Sequence, residues 1–305
     1  MDMQKIVSTS IIILIGLLFS ASRAHAALSV FACEPEWAAL VQELGGDKVS
    51  VFAATTALQD PHQIQARPSL IAKIRSADLV ACTGAELEIG WLPLLLRQAG
   101  NDKVQPGKPG NFAAAEFVTM LDVPTRLDRS EGDVHPYGSP HIQTDPRTIA
   151  RVAEALAKRL VDINRGNADF YAQRQQDFAQ RWQQALKRWD QQAAPLRGVP
   201  IVVQHRSWSY LESWLGLVEV TPLEPKPGIP PSSTYLAEVL TKLREHPAKC
   251  VIYGAYEDAK ASEWLSHQAA VTPVQLAFTV GGTDGAKDLF GFYDDTVARL
   301  LKACK

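Results

Sequence analysis

Between Ala168 and Ala194 the chain runs without a glycine or a proline, and it is rich in Gln, Ala, Arg and Leu. As a helix this stretch would measure about 40 Å at 1.5 Å per residue. Such a length is unusual in a globular protein, whose helices average about three turns. It reads either as an amphipathic surface helix or as a rigid strut between two domains. The pattern on each side supplies the two domains.

Upstream, short β-rich runs alternate with helical spacing. Leu28–Ala32, Val49–Ala54 and Asp78–Cys82 read as strands. Pro35–Leu44 and Pro68–Ser76 read as helices, the first stopped by Gly45-Gly46. Residues 101–140 are rich in Gly, Pro and Asp and weakly periodic; a strand is expected at Ala115–Leu121, then a loop. Asp145-Pro146 opens a helix running to about Ile163, with Asp145 as its cap and Pro146 in its first turn. A break near Asn164-Arg165-Gly166 separates it from the long stretch.

Downstream, strands are expected at Pro200–Gln204, Val218–Pro222, Cys250–Tyr253 and Val274–Phe278. Helices are expected at Trp208–Leu215, Thr234–Glu245, Ala259–Gln268 and Phe292–Ala303. A proline-rich turn, Leu223–Ser233, lies among them. Alternation at this spacing predicts βαβ units and parallel sheets. The expected fold is α/β: two doubly wound lobes with parallel-rich sheets, residues 27–165 and 199–305. One long rigid helix within 166–198 joins them.

The chain's 31 basic and 33 acidic residues nearly balance, and no dense basic run occurs, which argues against a nucleic-acid binder. Residues 1–26 read as a secretory leader. Lys5 precedes the apolar run Ile11–Phe19, and Ala24-His25-Ala26 forms a small-x-small cleavage site. The run is too short to span a bilayer. With no cysteine near the cleavage point, a lipid anchor is not expected. The chain is therefore expected to be exported and periplasmic. There disulfides become available to Cys33, Cys82, Cys250 and Cys304, none of which forms a CxxC. Pairing within halves is the simplest arrangement; four free thiols are the alternative.

His62 and His205 follow predicted strands, and His141 sits just before the Asp145 cap. Asp284 lies in the glycine-rich loop 281–285 after another strand. Ligands of open α/β sheets bind beyond the carboxyl ends of strands. Three neutral imidazoles and a carboxylate suit tetrahedral zinc. His62 and His141 are 79 residues apart, as are His205 and Asp284, which suggests two ligands per lobe. The plainer account is that each histidine is solvated or caps its turn, and that Asp284 is a turn residue. HExxH is absent, so no short motif decides between them.

Asp60-Pro61-His62…Arg67-Pro68-Ser69, Ser139-Pro140-His141…Asp145-Pro146 and the post-strand His205 resemble the periplasmic metal-binding proteins of zinc and manganese ABC importers. Gly84-Ala85-Glu86-Leu87-Glu88…Trp91-Leu92, Glu224…Pro231-Ser232 and the late Asp284 extend the resemblance, in order, over the whole exported chain. It implies two lobes on one rigid helix with the metal between them. His62 and His141 would be ligands from the first lobe, His205 and Asp284 from the second. Asp288 or water is a rival for the fourth place. Cys250 and Cys304 match a disulfide of the zinc-type members. A carboxylate where this chain has His205 would mark a manganese carrier, and hard Mn²⁺ prefers oxygen, so zinc is expected. The segment 122–140 stands where many zinc-type members have a long His-rich loop. It holds His135, Asp122, Asp128, Glu131 and Asp133, and reads as a solvated loop or as an auxiliary metal contact.

The function expected is capture of Zn²⁺ and delivery to a membrane permease with its ATPase, by a monomeric carrier that a chaperone could load. A manganese carrier and an exported zinc hydrolase, with Asp60 or Asp284 as general base, are the alternatives. An organic-ligand carrier is a further one. No nucleophile motif supports catalysis, and the expectation is a protein that is not an enzyme. The seven tryptophans sit mostly in helical stretches and read as packing residues.

Overall fold

The computed structural model describes residues 27–126, 132 and 135–304. The leader assigned to 1–26 lies outside them, as do Asp128, Glu131 and Asp133. Among the described residues no helix is long and apolar enough to cross a membrane.

The first lobe runs β1 (Leu28–Ala32), α1 (Pro35–Gly45), β2 (Val49–Ala53), α2 (Pro68–Arg75), β3 (Leu79–Cys82), α3 (Leu92–Ala99) and β4 (Asn111–Ala113). Its sheet has the order β2-β1-β3-β4, with every pairing parallel. The strand expected at Ala115–Leu121 is not formed. The chain leaves the sheet after Ala113 and turns through a short 3-10 helix, Ala114–Phe117. The turn lets Phe117 stack on Phe112 with ring centroids 5.0 Å apart. In a continuous strand these side chains would point to opposite faces.

α4 (Pro146–Ile163) starts where Asp145 caps it, its side chain accepting from the Arg147 N–H. α5 (Ala168–Gln192) is the long helix, 25 residues and so about 37 Å. Tyr171, Phe178, Trp182, Ala185 and Trp189 form its buried stripe, at the three-, four- and seven-residue steps of one helical face. The second lobe follows: β5 (Pro200–Val203), α6 (Ser209–Leu215), β6 (Val218–Pro222), α7 (Ser233–Glu245), β7 (Cys250–Gly254), α8 (Lys260–Gln268), β8 (Thr272–Leu276) and α9 (Leu289–Ala303). Its parallel sheet repeats the order of the first, β6-β5-β7-β8.

α5 joins the lobes through specific bonds. Near its middle, Arg181 pairs with Glu43 of α1 at 2.7 Å, and Trp182 Nε1 donates to the Pro146 carbonyl at 2.8 Å. Near its end, Trp189 Nε1 donates to Asp294 of α9 and Trp214 Nε1 donates to Asp190. One apolar core runs unbroken from the inner face of the first sheet, past α4 and α5, to the second sheet and α9. Separate smaller cores cover each sheet's outer face. The cysteines pair within halves, Cys33 with Cys82 and Cys250 with Cys304.

Candidate metal centre

The loops at the carboxyl ends of the strands carry the histidines into one place. His62 follows β2. Its backbone N–H donates to Asp60 Oδ1 at 3.0 Å, and its Nδ1 lies 2.7 Å from the same oxygen. Trp91 Nε1 donates to the Pro61 carbonyl at 2.9 Å and pins this loop against the lobe. His205 stands just past β5, with Nδ1 2.6 Å from Glu224 Oε2. Glu224 is itself fixed just past β6, where its N–H donates to the Gln204 carbonyl at 3.0 Å. In both cases a carboxylate takes the Nδ1 hydrogen, which leaves Nε2 as the bare, metal-competent nitrogen.

His141 is buried in the approach to α4, its ring edge-on to Phe278 at 5.2 Å. Its Nδ1 is buried and has no hydrogen-bond partner among the described residues. His135 comes from the 122–140 segment and places Nε2 3.2 Å from His62 Nε2. Two nitrogens on one tetrahedral zinc stand about 3.3 Å apart at the usual Zn–N bond length. Nitrogens of His62, His135 and His141 lie within 4.8 Å of one another. The His205 ring centroid is 6.2 Å from that of His62 and 6.1 Å from that of His141. A cavity of about 690 Å³, lined among others by His135, His141, His205, Asp122, Glu212 and Arg206, opens beside the group.

The structure thus brings His62, His141 and His205 together and adds His135 from the loop. Asp284 is not in the group: it is exposed in the turn before α9. Asp288, also exposed, caps α9 by accepting from the Gly291 N–H at 2.8 Å. Glu257 is a residue that sequence reasoning missed. It is half-buried beside His205, with one carboxylate oxygen unpartnered, and desolvation pushes its pKa up to about 7. No pattern around it marks it out in the sequence.

Burial favours neutral imidazoles at His135 and His141, and carboxylates stand behind His62 and His205. Burial, with His62 and His205 nearby, pushes His135 down to about 4. Burial and the neighbouring rings push His141 down as well. Burial would lower His205 too, but the bond to Glu224 and its charge more than offset this and raise it. Asp60 is held below the usual carboxylate range, because His62 outweighs the opposing effect of burial. The arrangement can hold a divalent cation among nitrogens, with Asp60, Glu224 and Glu257 offsetting its charge from behind. Asp60, which a hydrolase would use as general base, is committed to His62.

Residues 30–303 match the family model of the periplasmic component A of zinc-uptake complexes, ZnuA. The high-affinity zinc uptake system protein ZnuA of Yersinia pestis is 26% identical over 214 residues, covering 63% of this chain and 64% of that protein. Its Bacillus subtilis counterpart is 21% identical over 85% of this chain and 81% of its own. The manganese ABC transporter substrate-binding lipoprotein PsaA of Streptococcus anginosus is 25% identical over 50% of this chain and 47% of its own. The chain therefore spans under two thirds of the Yersinia and Streptococcus relatives. A crystal structure of ZnuA superposes with a TM-score of 0.76 at 22% identity, over 92% of this chain and all of that one, which shows the shared fold. By the match over nearly its whole described length, the chain belongs to the family of the periplasmic zinc-uptake component A.

Proposed function

We propose that this chain captures Zn²⁺ outside the cytoplasm and delivers it to the permease of an ABC importer with its ATPase. His62, His135 and His141 of the first lobe and His205 of the second would hold the ion. In this reading the lobes are residues 27–165 and 199–305, and 166–198 contain the linking helix. The observation that carries it is the convergence of four imidazoles, two of them aimed by a carboxylate on Nδ1. Borderline zinc suits nitrogen donors, whereas Mn²⁺ prefers carboxylate and carbonyl oxygen. A site filled by protein ligands holds metal rather than turning over substrate. Ligands from both lobes make occupancy felt in the lobe-to-lobe contact that a permease would meet. Leu58, Ile89, Val123, Tyr137 and Ile229 are exposed apolar side chains on the loops at this end of the sheets, and they suit that docking.

The test is zinc binding to the exported chain in competition with a chromophoric chelator. One tight zinc per chain is expected, weakened by alanine at His62, His141 or His205 and with Mn²⁺ a poor competitor. Binding that ignores His205, or a clear preference for Mn²⁺, would overturn the reading.

A further inference from the structure

Both sheets have the same strand order, so each has a switch point between its central strands, β1 and β3 in one lobe and β5 and β7 in the other. Open α/β sheets bind ligands just outside the carboxyl ends at that point. In the second lobe the chain passes this point at Gln204, whose N–H donates to the Ile252 carbonyl of β7 at 2.8 Å, and His205 follows it. In the first lobe the equivalent of Gln204 is Cys33, whose N–H donates to the Ala81 carbonyl of β3 at 2.9 Å, and Glu34 stands in the place of His205. Across the switch point β3 ends on Cys82, which bonds to Cys33.

Carboxyl groups surround this pair. Three consecutive left-handed residues, Gly84, Ala85 and Glu86, at φ 79°, 50° and 67°, fold the loop after β3 back on itself. The fold-back brings Glu88 onto the Thr83 and Gly84 N–H groups, at 2.7 and 3.1 Å. Glu34, next to Cys33, accepts the Thr83 hydroxyl with Oε2 at 3.2 Å. Its Oε1 has no hydrogen-bond donor directed at it, although the residue is only 3% exposed. Burial pushes Glu34 up, and the like charges of Glu88 and Glu36 and a hydrogen bond to Glu88 add to the shift. One oxygen of Glu88 and the two sulfurs of Cys33 and Cys82 lie within 4.8 Å of one another, all three residues buried.

We propose that the switch point of the first lobe is a latent thiolate–carboxylate metal site, which the Cys33–Cys82 disulfide closes. In the reduced chain, both sulfurs and Glu88 would hold a thiophilic divalent cation of the Zn²⁺ or Cd²⁺ class. Two thiolates and a carboxylate, with water in the fourth place, suit tetrahedral coordination, and soft thiolates select these ions over Mn²⁺. A dithiol opens the site: it gives two electrons and two protons to the disulfide, leaves as its own cyclic disulfide, and two thiols remain. The cation then displaces both thiol protons. The lobe exchanges one crosslink between β1 and β3 for another, so a chain that meets metal before it oxidises carries a second ion.

The test uses a Cys250→Ser/Cys304→Ser chain, whose remaining thiols are Cys33 and Cys82. It is reduced with a phosphine, loaded anaerobically with Co²⁺ and examined for the near-ultraviolet thiolate-to-cobalt band. The histidine centre has no sulfur, so the band is blind to it, and failure of the zinc-carrier reading would not touch this result. Expected are the band and one further Co²⁺ per chain relative to the oxidised form, both lost on adding Cys33→Ser/Cys82→Ser. Glu88→Gln should weaken that Co²⁺ at least about tenfold with the far-ultraviolet dichroism unchanged. No band in the reduced chain would overturn the proposal, as would full-strength Co²⁺ binding in Glu88→Gln. Should the all-serine chain not fold, the Glu88→Gln comparison decides.

Discussion

Asp60 and Glu224 touch the two histidines that come from different lobes, and each leaves Nε2 free by taking the Nδ1 hydrogen. Removing such a partner typically weakens metal binding about 10–100-fold without removing a ligand. Asp60→Asn and Glu224→Gln should each fall in that range in a chelator competition, and both together should lose more than either alone. The effect of Glu224→Gln should reach beyond the ring, because the same Glu224 oxygen also accepts from the Gly228 N–H at 2.8 Å and ties the proline-rich loop to His205. Asp284→Ala should leave zinc affinity unchanged, whereas His135→Ala should weaken it; the reverse result would return the fourth place to Asp284. The three histidines that converge are legible in the sequence because each follows or precedes a predictable element. His135 is legible only as an auxiliary contact, since it sits in an aperiodic segment whose path only tertiary packing sets. The equal 79-residue spacings do not by themselves place a ligand. The two sheets share an order, but the loops beyond them differ, so equal separation along the chain does not give equal position in space. The sheet register does better: Gln204 bonds to β7 as Cys33 bonds to β3, which pairs His205 with Glu34.

The long helix is the element most plainly written in the sequence, because a run free of glycine and proline with a buried stripe leaves few other solutions. Its stability comes from the stripe. Trp182 stacks on Phe178 at 5.1 Å and meets Trp189, Phe290 and Tyr293 edge-on, besides its bond to Pro146. Trp182→Ala should cost about 3–5 kcal/mol, read as a lower denaturation midpoint. Both lobes should unfold in one transition, because the stripe and the core are common to them. Two transitions in the wild type would show that the lobes are independent. Shorter elements were harder to read. α3 begins Leu92-Pro93-Leu94-Leu95-Leu96, a run of apolar residues with no visible period. β4 is only three residues long, and its identity as a strand comes from pairing with Val80–Cys82. Such elements are defined by what they pack against, not by their own pattern.

Across the whole molecule, buried hydrogen bonds as well as apolar packing hold the lobes together. Tyr293 of α9 donates to the Gln143 carbonyl at 2.6 Å, and the Thr279 hydroxyl donates to Glu36 of α1. Glu36 is 1% exposed, and burial raises its pKa from 4.5 to about 7, with Glu88 adding to the shift. Glu88 is likewise raised to about 7 by burial. A carboxyl whose folded pKa lies above its unfolded one keeps its proton in the folded chain when the unfolded chain has lost it. Its contribution to stability is therefore complete below pH 4.5 and is lost as the pH rises through about 7. Each such proton adds a slope of about 1.4 kcal/mol per pH unit inside that window. Groups with depressed values, Asp60 among them, act in the opposite sense, so the wild-type profile is a sum. Glu36→Gln isolates one component: the amide oxygen still accepts from Thr279, and nothing is left to ionise. The variant should match the wild type near pH 4.5, gain on it steadily up to pH 7, and stay ahead by a constant margin above that. Chemical denaturation of the metal-free protein at several pH values measures the difference. Parallel curves for the two proteins would show that Glu36 does not hold its proton at the lobe junction.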